Sequence, residues 1–251
     1  MSKNKLTKFA EMKALDNVFE CSVQDLEEKD YRRFGDRKHE LAGGWHDVFG
    51  NRNPIVLELG CGRGEYTVGL AERYPEKNFI GIDIKGARMW AGAKQAKAKG
   101  LPNAAFLRTN IEMLPYFFMQ DEVAEIWITF PDPQMKKATK RLTSTFFMAR
   151  YRLVLRDGGL VHLKTDSPFL YTYTREMLRV NNLPVNADLM DLYAGEAPID
   201  LDIRTHYEQQ WLDRGLTIKY LQWALPHAGE LTEPEIEIEF DTYKSYGRGV
   251  L

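Results

Sequence analysis

An α/β fold, with a mostly parallel sheet covered by helices on both faces, is predicted by three features of the chain. Short apolar runs recur from residue 54 onward, helical segments separate them, and the first run leads into a glycine cluster. Ile55–Leu59 reads as a buried strand, since four of its five residues are apolar. Gly60, Gly62 and Gly64 form the turn, and a helix follows from about Glu65 to Arg73. Phe79–Ile82 is the second strand, and an Ala- and Lys-rich helix spans Gly86 to Lys99. Ala105–Arg108, Val123–Phe130 and Gly159–Lys164 supply further strands, with helices near 142–155 and 168–180. Thr217–Leu225 and Ile236–Phe240 complete seven, the last alternating Glu235, Glu237 and Glu239 with apolar residues. Residues 1–53 are charge-dense and lack sustained periodicity before Leu41. They are read as a partly helical, mobile arm, and 54–251 as the domain proper.

The 251 residues, 44% hydrophobic and 28% charged, suit a soluble globular chain with a large core and exclude wholesale disorder. No run approaches the roughly 20 apolar residues of a membrane helix, and no apolar signal core follows Lys3, Lys5 and Lys8. A cytoplasmic location is therefore expected. Cys21 and Cys61 are the only cysteines and the five histidines are scattered, so neither a disulfide framework nor a metal site is expected. Monomer and homodimer both remain open.

Net charge is -2, which argues against a polyanionic partner until it is resolved along the chain. Residues 186–242 hold thirteen acids and three bases, a balance of -10, and leave +8 on the remainder. Pro133–Arg156 has seven bases and Ile84–Ile111 six, with no acid in either run. Two such runs point towards an anionic partner.

Glycines between a buried strand and a helix permit positive φ and close approach of a ligand to the backbone. The dinucleotide pattern G-x-G-x-x-G requires glycine at 65, where the chain has Glu65, which counts against a nicotinamide dehydrogenase. Glu58-x-Gly60-x-Gly62-x-Gly64 instead resembles the first motif of class I S-adenosylmethionine-dependent methyltransferases. A cationic sulfonium and amino group suit a nearby carboxylate such as Glu58, acting directly or through water. Asp83, at the end of the second strand, is placed to accept both ribose hydroxyls. Asn110, after the third strand, is placed to bond an adenine edge, or else to cap its loop.

The fourth strand ends in Phe130-Pro131-Asp132-Pro133, followed by Lys136-Lys137 and Lys140-Arg141-Leu142. Lys164-Thr165-Asp166 ends the fifth strand, and Thr205-His206-Tyr207-Glu208 follows. In this order the segments resemble the signature of tRNA (guanine-N7)-methyltransferases, from about Ile55 to Trp223. The family's Trp after D-P is Gln134 here, Asn110 stands where the family often has Asp, and the basic run is about two residues shorter. The resemblance implies a Rossmann-like class I methyltransferase fold, S-adenosylmethionine as cofactor and tRNA as partner, with methylation of N7 of a variable-loop guanine. It further implies that Glu58, Asp83, Asn110 and Asp132 face the cofactor, with Asp132 also at the catalytic junction. Substrate contacts fall to Lys136, Asp166, Thr205, His206, Tyr207 and Glu208, with Lys137, Lys140 and Arg141 extending the path for the RNA backbone. Glu208 or Asp166 is expected to read the guanine N1–H and 2-amino edge. An adenine-N6 methyltransferase, whose D-P-P-Y type motif also follows the fourth strand, and a non-catalytic RNA-binding protein are the competing readings. Asp132-Pro133-Gln134 lacks the second proline and the aromatic of the former.

Overall fold

In the computed structural model, which describes residues 3–21, 38–195 and 199–242, eight strands form one mixed sheet. They are β1 (Val18–Glu20), β2 (Ile55–Leu59), β3 (Asn78–Asp83), β4 (Ala104–Arg108), β5 (Val123–Thr129), β6 (Leu155–Thr165), β7 (Val185–Leu189) and β8 (Lys219–Leu225). The order is β1-β4-β3-β2-β5-β6-β8-β7. β1 to β6 run parallel, whereas β8 lies antiparallel between β6 and β7. The helices are α1 (Lys3–Lys13), α2 (Trp45–Phe49), α3 (Glu65–Arg73), α4 (Gly86–Ala98), α5 (Leu114–Phe117), α6 (Thr145–Tyr151), α7 (Pro168–Val180) and α8 (His206–Leu212).

Alternate strand residues feed two cores, as pleating dictates. Ile55, Leu57 and Leu59 join Ile126 and Ile128 on one face, while Val56 joins Phe79, Phe106 and Trp127 on the other. The N-terminal arm reaches both. Met12 of α1 is fully buried on the second face, and Trp45 of α2 is fully buried on the first, donating Nε1–H to Phe117 O at 2.9 Å.

Three sequence expectations change. The sheet has eight strands rather than seven: β1, from the arm, and β7 are added while Ile236–Phe240 stays outside it, and the three residues of β1 are too few to show a period. β7 was not foreseen: Val185, Ala187 and Leu189 alternate with polar residues over only five positions, and all but Ala187 are exposed on this edge strand. Ile236–Phe240 joins no sheet, because it runs beside α7 instead of along a sheet edge.

Successive strands step outward from β2 through β3 to β4, whereas β5 and β6 lie on the other side of β2. Between β2 and β5 the order reverses, and at such a switch point a crevice opens beyond the carboxyl ends. The turns after β2 and β5 both lie there.

Candidate active site

All three glycines after β2 are left-handed, with φ of 75°, 55° and 72° at Gly60, Gly62 and Gly64. They serve different ends. A Cβ on Gly64 would lie 2.6 Å from Phe106 Cε1 and 3.2 Å from Gly92 Cα, so this glycine lets α3 pack against α4 and β4. A Cβ on Gly60 or Gly62 would meet nothing nearer than 3.9 Å, so these two border open space. The Asp83 carboxylate braces the turn: Oδ2 accepts Gly62 N–H at 2.9 Å and Oδ1 accepts Lys85 N–H at 2.8 Å. Lone pairs remain on both oxygens for a diol. Beside it Ile84 is 50% exposed, an apolar ledge next to the ribose acid. The sequence reading passed over Ile84, although an apolar residue directly after the acid was the available signal. Asn110 begins the turn Ile111–Met113, and its side chain caps nothing there, so its amide is free to bond a ligand.

Glu58 does not stand in the open. Its Oε2 accepts Thr67 N–H at 2.8 Å and Thr67 Oγ1–H at 2.5 Å, and Oε1 accepts Thr129 Oγ1–H at 2.8 Å. The carboxylate thus cross-braces β2, α3 and β5, a structural role beyond the expected contact with a cationic cofactor, directly or through water. Burial pushes its pKa up to about 7, against the three hydrogen bonds that favour the charged form. A folded-state pKa above the unfolded 4.5 means that the native state binds the extra proton. Stability should therefore fall as pH rises from about 4.5 to about 7, by up to about 3 kcal/mol, and level off above. Urea melts of Glu58→Gln should lose this component of the pH slope; a variant slope equal to wild type would show that Glu58 does not titrate there.

After β5 the chain is locked rather than loose. Phe130 and Gln134 adopt positive φ of 49° and 46°, a strained conformation for side-chain-bearing residues that clusters at functional sites. Between them Pro131 and Pro133 are buried and Asp132 is exposed. Asp132 Oδ1 accepts Gln134 N–H at 3.0 Å, closing an Asx turn. Arg141 holds the far side, donating Nε–H to Gln134 O at 3.2 Å and Nη2–H to Met135 O at 2.8 Å. Its guanidinium lies 4.8 Å from the Phe169 ring and 4.3 Å from the Tyr173 ring. Arg141 was expected on the RNA path; it is instead a buried staple of the Asp132 loop.

Residues 164–166 and 205–208 meet over the next strand. Lys164 pairs with Thr129 in the sheet, so Asp166 lies just past the β6 end, beside the β5 turn. The Lys164 ammonium is fully buried, 2.7 Å from Glu208 Oε1, and donates to Leu201 O at 2.7 Å and Tyr66 OH at 3.1 Å. Burial pulls its pKa down against the attraction of Glu208. Glu208 is also fully buried. It forms a capping box with Thr205, in which Thr205 Oγ1 accepts Glu208 N–H at 3.1 Å and Glu208 Oε2 accepts Thr205 N–H at 3.3 Å. Tyr193 OH donates to Oε1 at 2.5 Å. Glu208 or Asp166 was expected to read a guanine edge; the structure engages the Glu208 oxygens inside the fold with Lys164, Tyr193 and Thr205. Asp166 is also buried, at 1% exposure. Exposed His206 donates its N–H to Glu65 Oε1 at 3.2 Å, and the Tyr207 ring lies 5.7 Å from the Arg88 guanidinium. The T-H-Y-E segment is thereby docked on the starts of α3 and α4.

The acid-free runs resolve in the same way. Lys94, Lys97, Lys99 and Arg108 pair with Glu11, Asp16, Glu72 and Glu20, so the arm largely neutralises the first run and leaves Lys85 and Arg88. In the second run Lys140 pairs with Glu112 at 2.6 Å, Arg150 covers the Phe146 ring, and Arg152 binds Gly229 O and Ala228 O. Arg156 lies at the start of β6, on the opposite edge of the sheet. Exposed Lys136 and Lys137 remain beside Asp132. Among the described residues, no cluster of three or more His, Cys, Asp or Glu could hold a metal, and no helix is long and apolar enough to cross a membrane.

Known proteins resemble this chain in sequence and in fold. The family model described as "Putative methyltransferase" matches residues 52–221. The tRNA (guanine-N(7)-)-methyltransferase of Bacteroides fragilis is 56% identical over 250 residues, covering 99% of this chain and 96% of the relative. Its namesake in Porphyromonas gingivalis is 63% identical, covering 83% and 87%. That of Brevibacillus brevis is 32% identical, covering 76% and 89%. Among solved structures, the 16S rRNA methyltransferase KamB superposes with a TM-score of 0.58 at 16% identity, covering 76% of this chain and 95% of that one, which is a likeness of fold.

Proposed function

We propose that this chain, which belongs to the tRNA (guanine-N(7)-)-methyltransferase family, acts in the cytoplasm and methylates N7 of a guanine in the variable loop of tRNA. The observation that carries this reading is the pairing, at the sheet's switch point, of the Asp83-braced glycine turn with the stapled turn that presents Asp132.

The residues present fit S-adenosylmethionine. Gly60 and Gly62 border open space, Asp83 keeps acceptor capacity for the ribose diol, Ile84 offers an apolar face to adenine and Asn110 a free amide to its edge. When bound, the cofactor supplies an electrophilic methyl on a sulfonium. Guanine N7 brings a lone pair and no proton, so the chain needs no general base; its task is alignment and exclusion of water. Methylated guanine carries positive charge on its imidazole ring, and the exposed Asp132 carboxylate can stabilise that charge as it develops. Glu58, Lys164 and Glu208 act from behind, holding the strand ends and α8 in place. Incubation with methyl-labelled S-adenosylmethionine and unmodified tRNA tests the reading. Label on N7 of a variable-loop guanine is expected; label confined to other positions would overturn it.

Only Lys136 and Lys137 of the second basic run are free at the site mouth, so they should carry its phosphate contacts. Lys136→Ala and Lys137→Ala should each flatten the slope of log affinity for tRNA against log salt by roughly 0.7–0.9. Lys97→Ala, whose ammonium faces Asp16 at 2.8 Å, should leave the slope unchanged. Filter binding across a salt series measures both.

A further inference from the structure

The acidic segment after β8 lies beyond the residues that the family model matches, and the roles assigned above leave it unused. Its path is well tied. Arg152 donates to Gly229 O at 2.6 Å and to Ala228 O at 2.9 Å, and the Asn181 side chain exchanges two hydrogen bonds with the Thr232 backbone at 2.8 and 2.6 Å. Glu233 then accepts Thr145 Oγ1–H at 2.6 Å and the Tyr173 hydroxyl. Residues of the 234–240 segment line an open pocket of about 360 Å³ together with Met135, Arg141, Phe169 and Tyr173. Ile236 and Phe240 remain 43% and 47% exposed on that segment. Ile238 packs against the core and the Phe240 ring meets Phe169 edge-on at 5.6 Å, so this strap lies on α7, and its far end is further held by specific bonds.

Those bonds converge on Asp241, which is 6% exposed. In the first turn of α7, Pro168 has no N–H, Leu170 N–H goes to Ser167 Oγ at 3.0 Å, and Phe169 N–H goes to Asp241 Oδ1 at 3.0 Å. Asp241 Oδ2 accepts the Ser167 hydroxyl. The carboxylate is thus a second cap, brought from seventy residues away to the positive end of the helix. Its own N–H points at Met135 Sδ, 3.2 Å away, in the loop that presents Asp132. Lys219 donates to Asp166 O at 3.2 Å, and both Asp166 and Asp241 attract its ammonium.

We propose that Asp241 is a positioning residue for methyl transfer: through it the C-terminal strap sets the β6–α7 turn, with Asp166, against the Asp132 loop. The inference rests on the reading that Asp132 and Asp166 line the site. Asp241→Ala should lower kcat at saturating tRNA and cofactor about tenfold, the scale expected when reacting groups are slightly misplaced. Its Kd for S-adenosylmethionine should stay within twofold of wild type. Asp241→Asn, which can still accept Phe169 N–H, should restore kcat to within threefold. Asn181→Ala frees the strap at Thr232, away from the loops, and should lower Tm while keeping kcat within twofold. An unchanged kcat in Asp241→Ala would overturn the proposal, as would losses of kcat in Asp241→Ala and Asn181→Ala that simply track Tm. Failure of the underlying site reading would show separately, as wild-type turnover by Asp132→Ala.

Discussion

Asp132→Ala is expected to lower kcat/KM for tRNA by about a hundredfold to a thousandfold while the protein stays folded. The size follows from removing one preorganised charge aimed at a developing cation. In the product the positive charge sits on the purine rather than on sulfur, so a carboxylate close to the purine gains interaction energy as the methyl moves. Asp132 is suited to this because its carboxylate is exposed and because its loop is held from both sides, by the Asx turn to Gln134 and by Arg141. Exposure also means that little stability is lost, and Tm should shift by only a few degrees. Asp132→Asn separates the two contributions: it retains an acceptor for Gln134 N–H but no charge, and should fall between alanine and wild type. Steady-state kinetics with tRNA, cofactor titration and thermal melts on the same samples provide the check. Turnover at the wild-type rate would remove Asp132 from the reaction.

Lys164→Met carries the largest expected cost in stability. Both Lys164 and Glu208 are fully buried and 2.7 Å apart, so removal of the ammonium strands a carboxylate out of water. Breaking one side of such a pair costs about 3–5 kcal/mol, which lowers Tm by roughly 10 °C in a chain of this size. Glu208 would lose its counterion yet keep its bonds to Thr205 and Tyr193. The double variant Lys164→Met with Glu208→Gln should recover at least half of the deficit, because no uncompensated charge remains. Equilibrium urea unfolding of the single and double variants measures the coupling. A double variant no more stable than Lys164→Met would show that lost packing, and not the stranded charge, sets the cost.

Motif reading placed Asp83 at a strand end and the glycines in a left-handed turn because both features depend on local covalent geometry. A strand end, a positive φ and a carboxylate at the next strand end are all encoded within about 25 residues. It did not foresee the burial of Glu208 and Arg141, for the converse reason. An acid in a T-x-Y-E segment and an arginine in a basic run have the same local appearance whether they face a ligand or the interior. What differs is the partner: Lys164 on β6 for one, the Phe169 and Tyr173 rings on α7 for the other. Asp241 carried no local signal at all, since its cap lies on a helix seventy residues earlier.

The amino-acid sequence by itself determined the alternation of strands and helices, the glycine turn, the Pro-flanked aspartate and the split of charge along the chain, because each depends on the period or identity of neighbouring residues. Tertiary structure alone decided the edge strands, the burial of Glu58 and Glu208, and which cations stay free at the site mouth. These are matters of which distant group arrives to pair, and a buried polar atom takes whatever partner the fold brings to it. Of the thirteen bases in the two acid-free runs, pairing and stacking leave Lys85, Lys136 and Lys137 around the crevice, with Arg88 on the Tyr207 ring, and that subset is what an RNA backbone would meet.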